Sequence, residues 1–202
     1  MSENLIADVL KQENKDAILL LQAGKYAEAL VIFRRSYGTE KELKLDQHAA
    51  RTQVNIANTL YLMKNYDNAV LEMEQACEYF SGNKEWQAYY DGRIFIARIL
   101  LIQKKLDEAE KIADEVIRKC KDDTYRGMAY LFLYQIRMLK QQKSKMLESV
   151  NKAVTCFERK KDIGNLVIAL SARAEYYVAN HRNDLAMMDK MRCIELKEKE
   201  TN

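Results

Sequence analysis

Arg51, Asn58 and Arg98 carry side chains that are well suited to recognising another molecule. Arg51, Asn58 and Arg98 fall in amphipathic stretches, and Arg98 lies inside the most apolar run, "IFIARILLI". An arginine guanidinium donates two parallel hydrogen bonds to a carboxylate, and an asparagine amide both donates to and accepts from a peptide backbone. The alternative for Arg98 is that its stem lies along an apolar helix while its charge reaches solvent or a nearby acid.

Residue patterns that would support catalysis or metal binding are missing from the sequence. It contains no G-x-G-x-x-G, Walker, H-E-x-x-H or G-x-S-x-G motif, and its two histidines, His48 and His181, offer little for acid–base chemistry. We therefore expect no enzyme, no metal and no cofactor. The four cysteines show no C-x-x-C spacing and are expected to be small buried side chains: Cys77, Cys120, Cys156 and Cys193.

Composition narrows the classes of partner. The 202 residues carry 33 basic and 30 acidic side chains, scattered without a block of like charge. Although there are 12 tyrosines, no basic stripe accompanies them, so we do not expect nucleic-acid binding. The longest apolar run is too short to cross a membrane, and the acidic N-terminus does not resemble a signal peptide. With its free thiols, the chain is expected to be cytoplasmic.

The elements that position these side chains are predicted to be helices alone. Proline is absent, glycine occurs six times, and apolar residues recur at i, i+3, i+4 and i+7 almost throughout. Short polar breaks are expected at Gly24, Lys64, Lys104, Gln141–Lys143 and His181. Longer breaks are expected at Gly38 with Thr39 as helix N-cap and Glu42 completing a capping box, at Gly82, at Asp122 or Asp123, and at Asp162. These breaks give ten helices in five hairpins.

Small residues recur at one register in both helices of the hairpins. The first helices carry Ala17, Ala57, Ala97 and Ala174, and the second helices carry Ala29, Ala69, Ala109 and Ala186. The first three members of each series follow one another at a constant interval. Two helices can cross closely only where neither carries a bulky side chain, so these alanines are predicted to be the buried crossing points.

The stretches "GKYAEAL" (24–30), "KNYDNAV" (64–70) and "KKLDEAE" (104–110) resemble the opening of the second helix in tetratricopeptide repeats (TPR). The resemblance covers about residues 5–197 and implies an all-α, right-handed superhelical solenoid of about five hairpins. It implies one domain, 1–202, with units at about 4–40, 43–81, 84–121, 123–160 and 162–199.

The period of 40 is longer than the usual 34 and is similar to kinesin-light-chain-like and bacterial peptide-sensing TPR proteins. The fourth unit departs from the pattern: Met146 and Tyr134 stand where small residues are expected, and its spacing from the third unit is 37.

The resemblance implies that the first helices line a concave groove suited to a peptide or a partner helix. Helical geometry then predicts the partner-binding residues: Arg51, Asn58, Tyr61, Arg98, Leu101, Gln135 and Glu175. A clamp of the kind found in chaperone-binding TPR proteins is not expected, because Asn14 and Ile18 stand where its lysine and asparagine would be.

The last predicted helix carries more apolar side chains than its own repeat needs. Ala186, Met187, Cys193 and Ile194 are assigned to that repeat, whereas a second stripe predicts either a homodimer or partial exposure: Leu185, Met188 and Met191. The function expected from these observations is a non-enzymatic protein–protein interaction scaffold. The alternatives are a peptide-responsive regulator that acts through a separate effector, and a self-assembling structural protein.

Overall fold

Ten α-helices and no strands make up the part of the chain that the structure describes. This computed structural model describes the backbone of residues 3–201 and the side chains of residues 6 and 8–199; residues 1, 2 and 202 of the predicted domain lie outside it. The helices are α1 (Glu3–Gln22), α2 (Tyr26–Glu42), α3 (Asp46–Leu62), α4 (Tyr66–Gly82), α5 (Trp86–Ile102), α6 (Leu106–Lys119), α7 (Asp123–Leu139), α8 (Lys143–Lys160), α9 (Ile163–Ala179) and α10 (Asn183–Thr201). The all-α prediction with ten helices in repeated hairpins is confirmed. Not one of these helices is both long and apolar enough to cross a bilayer.

Most helices end in the same turn, built around one residue in the left-handed conformation. These residues recur at regular positions: Gly24, Lys44, Lys64, Lys84 and Lys104, and then Gln141, Lys161 and His181. At Lys64 the backbone N–H donates to the Tyr61 carbonyl (2.9 Å), and the next N–H, of Asn65, donates to the Leu60 carbonyl (2.8 Å). This is the Schellman pattern, which satisfies carbonyls left unpaired at a helix end. The predicted short breaks at Gly24, Lys64, Lys104, Gln141–Lys143 and His181 are confirmed.

One longer break was predicted in the wrong place. Helix α2 continues through Gly38 and Thr39 to Glu42, and the chain turns at Lys44 instead. The Thr39 hydroxyl donates to the Arg35 carbonyl one turn earlier (3.2 Å), as a threonine inside a helix does. Gly38 is thus an interior helical residue, and the capping box does not form.

The junction between α6 and α7 has a different geometry from the others. Helix α6 has 14 residues whereas α5 and α7 have 17, and the chain leaves it in an extended conformation at Cys120. The shorter α6 accounts for the spacing of 37 in this part of the sequence. The Asp122 side chain accepts the Thr124 N–H (2.7 Å), which confirms the predicted N-cap, and Asp162 caps α9 in the same way through the Asn165 N–H (3.1 Å).

The chain divides into two compact units, one ending at Ile99 and one beginning at Leu100. In the first unit the predicted crossing alanines Ala17, Ala29, Ala57 and Ala69 are fully buried. Larger side chains pack around them, chiefly Phe33, Ile56 and Leu60. Because alanine lets the helix axes approach, the larger residues can fill the spaces on either side at the density of a protein interior.

The second unit has its own core, formed mainly by α8, α9 and α10. Its largest side chains include Phe157, Leu166 and Leu170. Tyr134, which stands at a small-residue position, is buried, and its hydroxyl donates to the Ala172 carbonyl (3.0 Å). In this fourth unit, which departs from the repeat pattern, close packing occurs at Gly127, which leaves room for the ring of Phe157. All four cysteines are buried thiols outside any disulfide, as predicted.

Candidate functional site

The first helices of the first unit present matching positions on one surface. Lys11, Arg51 and Asp91 lie one repeat period apart on α1, α3 and α5 and line pockets of this surface. One turn further along, Lys15 and Asn55 are equivalent and also line it, followed by Phe95 on α5. We call this surface the groove. Its side chains follow the spacing i, i+4, which keeps them on one face of each helix.

The first pocket of the groove lies between α1 and α3 and has a volume of about 430 Å³. Helix α1 contributes Asp8, Lys11 and Lys15 to its exposed wall, and α3 contributes His48 and Arg51. Leu10 and Thr52 are buried deeper in the same pocket. The pocket therefore has charged walls and a buried interior of mixed polarity.

The second pocket lies between α3 and α5, with a volume of about 370 Å³. Met73 and Phe80 of α4 contribute apolar surface, and Phe95 of α5 adds an aromatic ring. The polar residues that line this pocket are Arg51, Asn55, Asn58 and Asp91. Because Arg51 and Asn55 line both pockets, the two adjoin and make one continuous surface.

Close helix approach beside the second pocket depends on Gly92. A Cβ atom at this position would lie 2.4 Å from Sγ of Cys77 and 3.2 Å from Sδ of Met73. Both distances are shorter than ordinary van der Waals contact, so only glycine fits between α5 and α4 without a shift of neighbouring atoms.

The walls of the groove carry charges of both signs. Lys11, Lys15 and Arg51 are exposed cations, and the acids are Asp8, Glu85 and Asp91. The side chain of Arg51 is 66% exposed, and its guanidinium lies 4.0 Å from the Glu85 carboxylate, at the limit of an ion pair. Exposed pairs of this kind contribute little, so Arg51 can exchange Glu85 for a carboxylate of a ligand at small cost.

A buried carboxylate lies beneath the first pocket. Glu40, at the end of α2, is 1% exposed, and Thr52 beside it is 2% exposed. The Asn14 amide donates to both, with Nδ2 at 3.4 Å from Oε1 of Glu40 and 3.4 Å from Oγ1 of Thr52. Burial raises the pKa of Glu40 above its ordinary value, although the hydrogen bond with Thr52 and the nearby His48 oppose that rise.

The residues predicted to bind a partner are distributed over both units. Arg51 and Asn58 line the second pocket. Tyr61 instead packs against Phe95 and Tyr66, with ring centroids 5.6 and 5.9 Å apart, and Arg98 is exposed on α5. In the second unit Leu101 is half-buried, whereas Gln135 and Glu175 are exposed.

Several groove residues did not figure in the prediction, although a signal for them exists. Asn55 lies one turn after Arg51, while Lys11 precedes Arg51 and Asp91 follows it by one repeat period. Applying the repeat period to Arg51 would therefore have found Lys11 and Asp91, and the helical spacing of four would have found Asn55. Glu40 has no such signal, because a charged residue near a helix end is usually exposed.

The apolar surface of α10 is broader than predicted. Met188 and Met191 are exposed, at 66% and 56%, and Leu185 is half-buried. Met187 and Ile194, which were assigned to the repeat's own packing, are also exposed, at 60% and 58%. That assignment was wrong for these two residues; of the four assigned to the repeat, Ala186 and Cys193 are the buried ones.

In the described part of the chain, no group of three His, Cys, Asp or Glu side chains is arranged to hold a metal ion. No protein-family model matches the sequence, and no curated protein matches it either.

Several solved structures do match the fold. The TPR-like repeats of a candidate kinesin light chain from Podosopora anserina align with a TM-score of 0.69 at 15% identity, over 94% of this chain and 95% of that one. BtubC from P. vanneervenii aligns at 0.78 and 15%, over 96% and 82%.

A third structure, NprR in complex with its cognate peptide NprX, aligns with a TM-score of 0.65 at 14% identity over 94% of this chain. The match spans 56% of the NprR chain, so this chain corresponds to little more than half of NprR. At these identities the likeness concerns the fold. The chain has the fold of the tetratricopeptide repeat proteins.

Proposed function

We propose that the protein is a non-enzymatic interaction scaffold that binds an extended peptide, or an exposed segment of a partner protein, in the groove. The observation that carries the proposal is the continuity of the two pockets through Arg51 and Asn55. An extended peptide needs a surface of this kind, with side-chain pockets spaced along a line of hydrogen-bonding groups.

Each part of the groove suits a different part of such a ligand. Asn55 and Asn58 offer amides for the peptide backbone, and the pocket containing Met73, Phe80 and Phe95 has room for one bulky apolar side chain. Lys11, Lys15 and Arg51 favour a carboxylate. The ligand we propose is therefore an acidic peptide with an apolar anchor. The peptide complex of NprR supports a peptide as the ligand by analogy of fold.

The test begins with a library of random heptapeptides displayed on phage and selected on the immobilised full-length protein. We expect the selected sequences to be enriched in Asp, Glu and one large apolar residue. The affinity of a selected peptide is then measured by isothermal titration calorimetry. Replacing Asn58 or Arg51 by alanine should weaken binding by about 5- to 100-fold, the range expected for loss of a buried or charge-assisted hydrogen bond.

Arg34→Ala is the matched control, because Arg34 is also a half-exposed arginine, paired with Glu72 on the other helix layer. It should leave the affinity unchanged. Equal affinity of Arg51→Ala, Asn58→Ala and Arg34→Ala for every selected peptide would contradict the proposal. Added salt should weaken binding to the wild-type protein more than binding to Arg51→Ala, since one charge pair is missing in the variant.

A regulator that responds to a peptide is a narrower form of the same function. In that case peptide binding would change the radius of gyration measured by X-ray scattering, because the ligand would favour one conformation of the repeats. An unchanged radius at saturating peptide would favour the simple scaffold.

The exposed methionines of α10 support a second candidate function, self-association. Met188 and Met191 belong to an apolar surface with Met187 and Ile194, and surfaces of this kind are typical of interfaces. Sedimentation velocity should show a concentration-dependent dimer that Met188→Lys abolishes. A monomer at all concentrations in the wild-type protein would exclude this candidate.

A further inference from the structure

The carboxylate of Glu40 is buried. Among the residues that the structure describes, no lysine, arginine or histidine forms an ion pair with it; its neighbours are the Asn14 amide and Thr52. An ionised carboxylate in such a place has lost its hydration without gaining an ion-pair partner, and proteins commonly relieve that cost by keeping the group neutral.

Two acceptor atoms in this cluster lack a donor among the described residues. They are Oε2 of Glu40 and Oδ1 of Asn14, both fully shielded from solvent. The same two residues are already joined through Nδ2 of Asn14 and Oε1 of Glu40. An unpaired buried acceptor costs about 1–3 kcal/mol, so two such atoms on hydrogen-bonded neighbours need an explanation.

We propose that Glu40 is held as a neutral carboxylic acid whose proton, on Oε2, is donated to Oδ1 of Asn14. The acid and the amide then form a reciprocal pair in which each group donates once and accepts once. One proton satisfies both unpaired acceptors. The raised pKa of Glu40 agrees with this arrangement. The inference goes beyond the proposed function and holds whether or not the groove binds a peptide.

The charged groups around this pair lie on three helices. On α1 they are Asp8, Lys11 and Lys15; on α3 they are His48 and Arg51; on α2 itself, Tyr37 and Lys41 are the nearest titratable neighbours in sequence. The charge interaction with His48 lowers the pKa of Glu40 and so opposes the effect of burial.

Ionisation would send the proton to solvent and leave one negative charge beneath the first pocket. The loss of the proton would remove the hydrogen bond to Oδ1 of Asn14. The new negative charge would partly cancel the positive charge of Lys11, Lys15 and Arg51. The charge beneath the first pocket therefore depends on pH through the Glu40–Asn14 pair.

The first test is a ¹³C NMR titration of the full-length protein labelled at Cδ of glutamate. The Glu40 signal is assigned through backbone connectivity in the wild-type protein, so the assignment does not depend on a variant. We expect its midpoint to lie clearly above the ordinary value of 4.5. A midpoint at or below that value would overturn the inference.

The second test compares wild-type stability with that of Glu40→Gln, whose amide imitates the neutral acid. A raised folded-state pKa stabilises the folded protein below the ordinary value of 4.5, and this contribution is lost as pH rises through the folded-state pKa. The unfolding constant of the wild type relative to the variant should therefore rise with pH across that window, by up to about tenfold per pH unit.

Glu42→Gln, which changes an exposed carboxylate at the end of the same helix, should show no comparable trend. A wild-type protein that gains stability relative to Glu40→Gln as pH rises would contradict the neutral acid.

Discussion

Gly92 sets how closely α5 approaches α4 at the second pocket. Replacing it with alanine places a methyl group 2.4 Å from Sγ of Cys77, so neighbouring side chains must move. We expect Gly92→Ala to lower the free energy of unfolding by about 1–3 kcal/mol, the usual range for overpacking, measured by urea denaturation.

Gly38→Ala is the control, because Gly38 lies inside α2 with open space around it. That change should raise the free energy of unfolding by about 0.5–1 kcal/mol through helix propensity.

The second residue-scale prediction concerns a buried ion pair in the second unit. Arg173 binds the carboxylate of Asp189 through two hydrogen bonds, of 2.8 and 2.7 Å, and Asn151 accepts a third. Asp189→Ala leaves the arginine charge largely buried and unpaired, so we expect a loss of about 3–5 kcal/mol in thermal or chemical denaturation. Glu148→Ala breaks an exposed pair with Lys152 and should cost less than about 0.5 kcal/mol. Similar losses in both variants would contradict the role assigned to burial.

At the scale of residues, the location of a side chain could be predicted from the sequence where that side chain follows the repeat. It could not be predicted where the side chain departs from the repeat. Arg51 and Asn58 line the second pocket, on the face of α3 that helical spacing from a core alanine predicts; their role in binding stays a prediction. Glu40 was not found, because its burial results from the packing of Asn14 and Thr52 against it. Contacts between residues distant in sequence decide such cases, and no local pattern carries them.

The helix-ending turns are the elements that give the chain its regularity, and most use lysine where glycine is the more favourable residue. A side chain in the left-handed conformation costs about 1 kcal/mol or more, which glycine avoids. We expect Lys64→Gly to raise the free energy of unfolding by up to about 1 kcal/mol and Gly24→Ala to lower it by about the same amount. Equilibrium denaturation of both variants is the measurement. The changes in the free energy of unfolding should have opposite signs in the two variants. A loss of stability in Lys64→Gly would contradict this and show that the lysine side chain itself stabilises the turn.

The same turns explain why element boundaries were predicted unevenly. Gly24 was recognised because glycine is the usual residue at such a turn, and Lys64 and Lys104 because the repeat aligned them with it. Lys44 was missed because Gly38, earlier in the same segment, offered a stronger signal. The backbone hydrogen bonds of the turn, rather than the residue that occupies it, determine where α2 ends.

At the scale of the whole molecule, the chain forms two compact units. We therefore expect each unit to be stabilised mainly by its own contacts. Gly127→Ala would place a methyl group 2.6 Å from the Phe157 ring, inside the second unit. In repeat proteins each segment is stabilised mainly by its neighbours, so the loss should be regional. Native-state hydrogen exchange should show reduced protection in the second unit and little change in the first. A uniform loss of protection along the chain would contradict this expectation.

The recurrence of one turn at the end of most helices has a consequence for how the polypeptide tolerates changes in length. Removing or duplicating one full hairpin, cut at two equivalent turns such as Lys44 and Lys84, would rejoin turns of similar backbone geometry and keep first and second helices alternating along the chain. Removing a single helix, by cuts at Lys44 and Lys64, would put two second helices in succession, so that their core alanines would lose their proper partners. Length variants of this protein should therefore survive in steps of a full hairpin, which expression of such deletions and their helical content by circular dichroism would reveal.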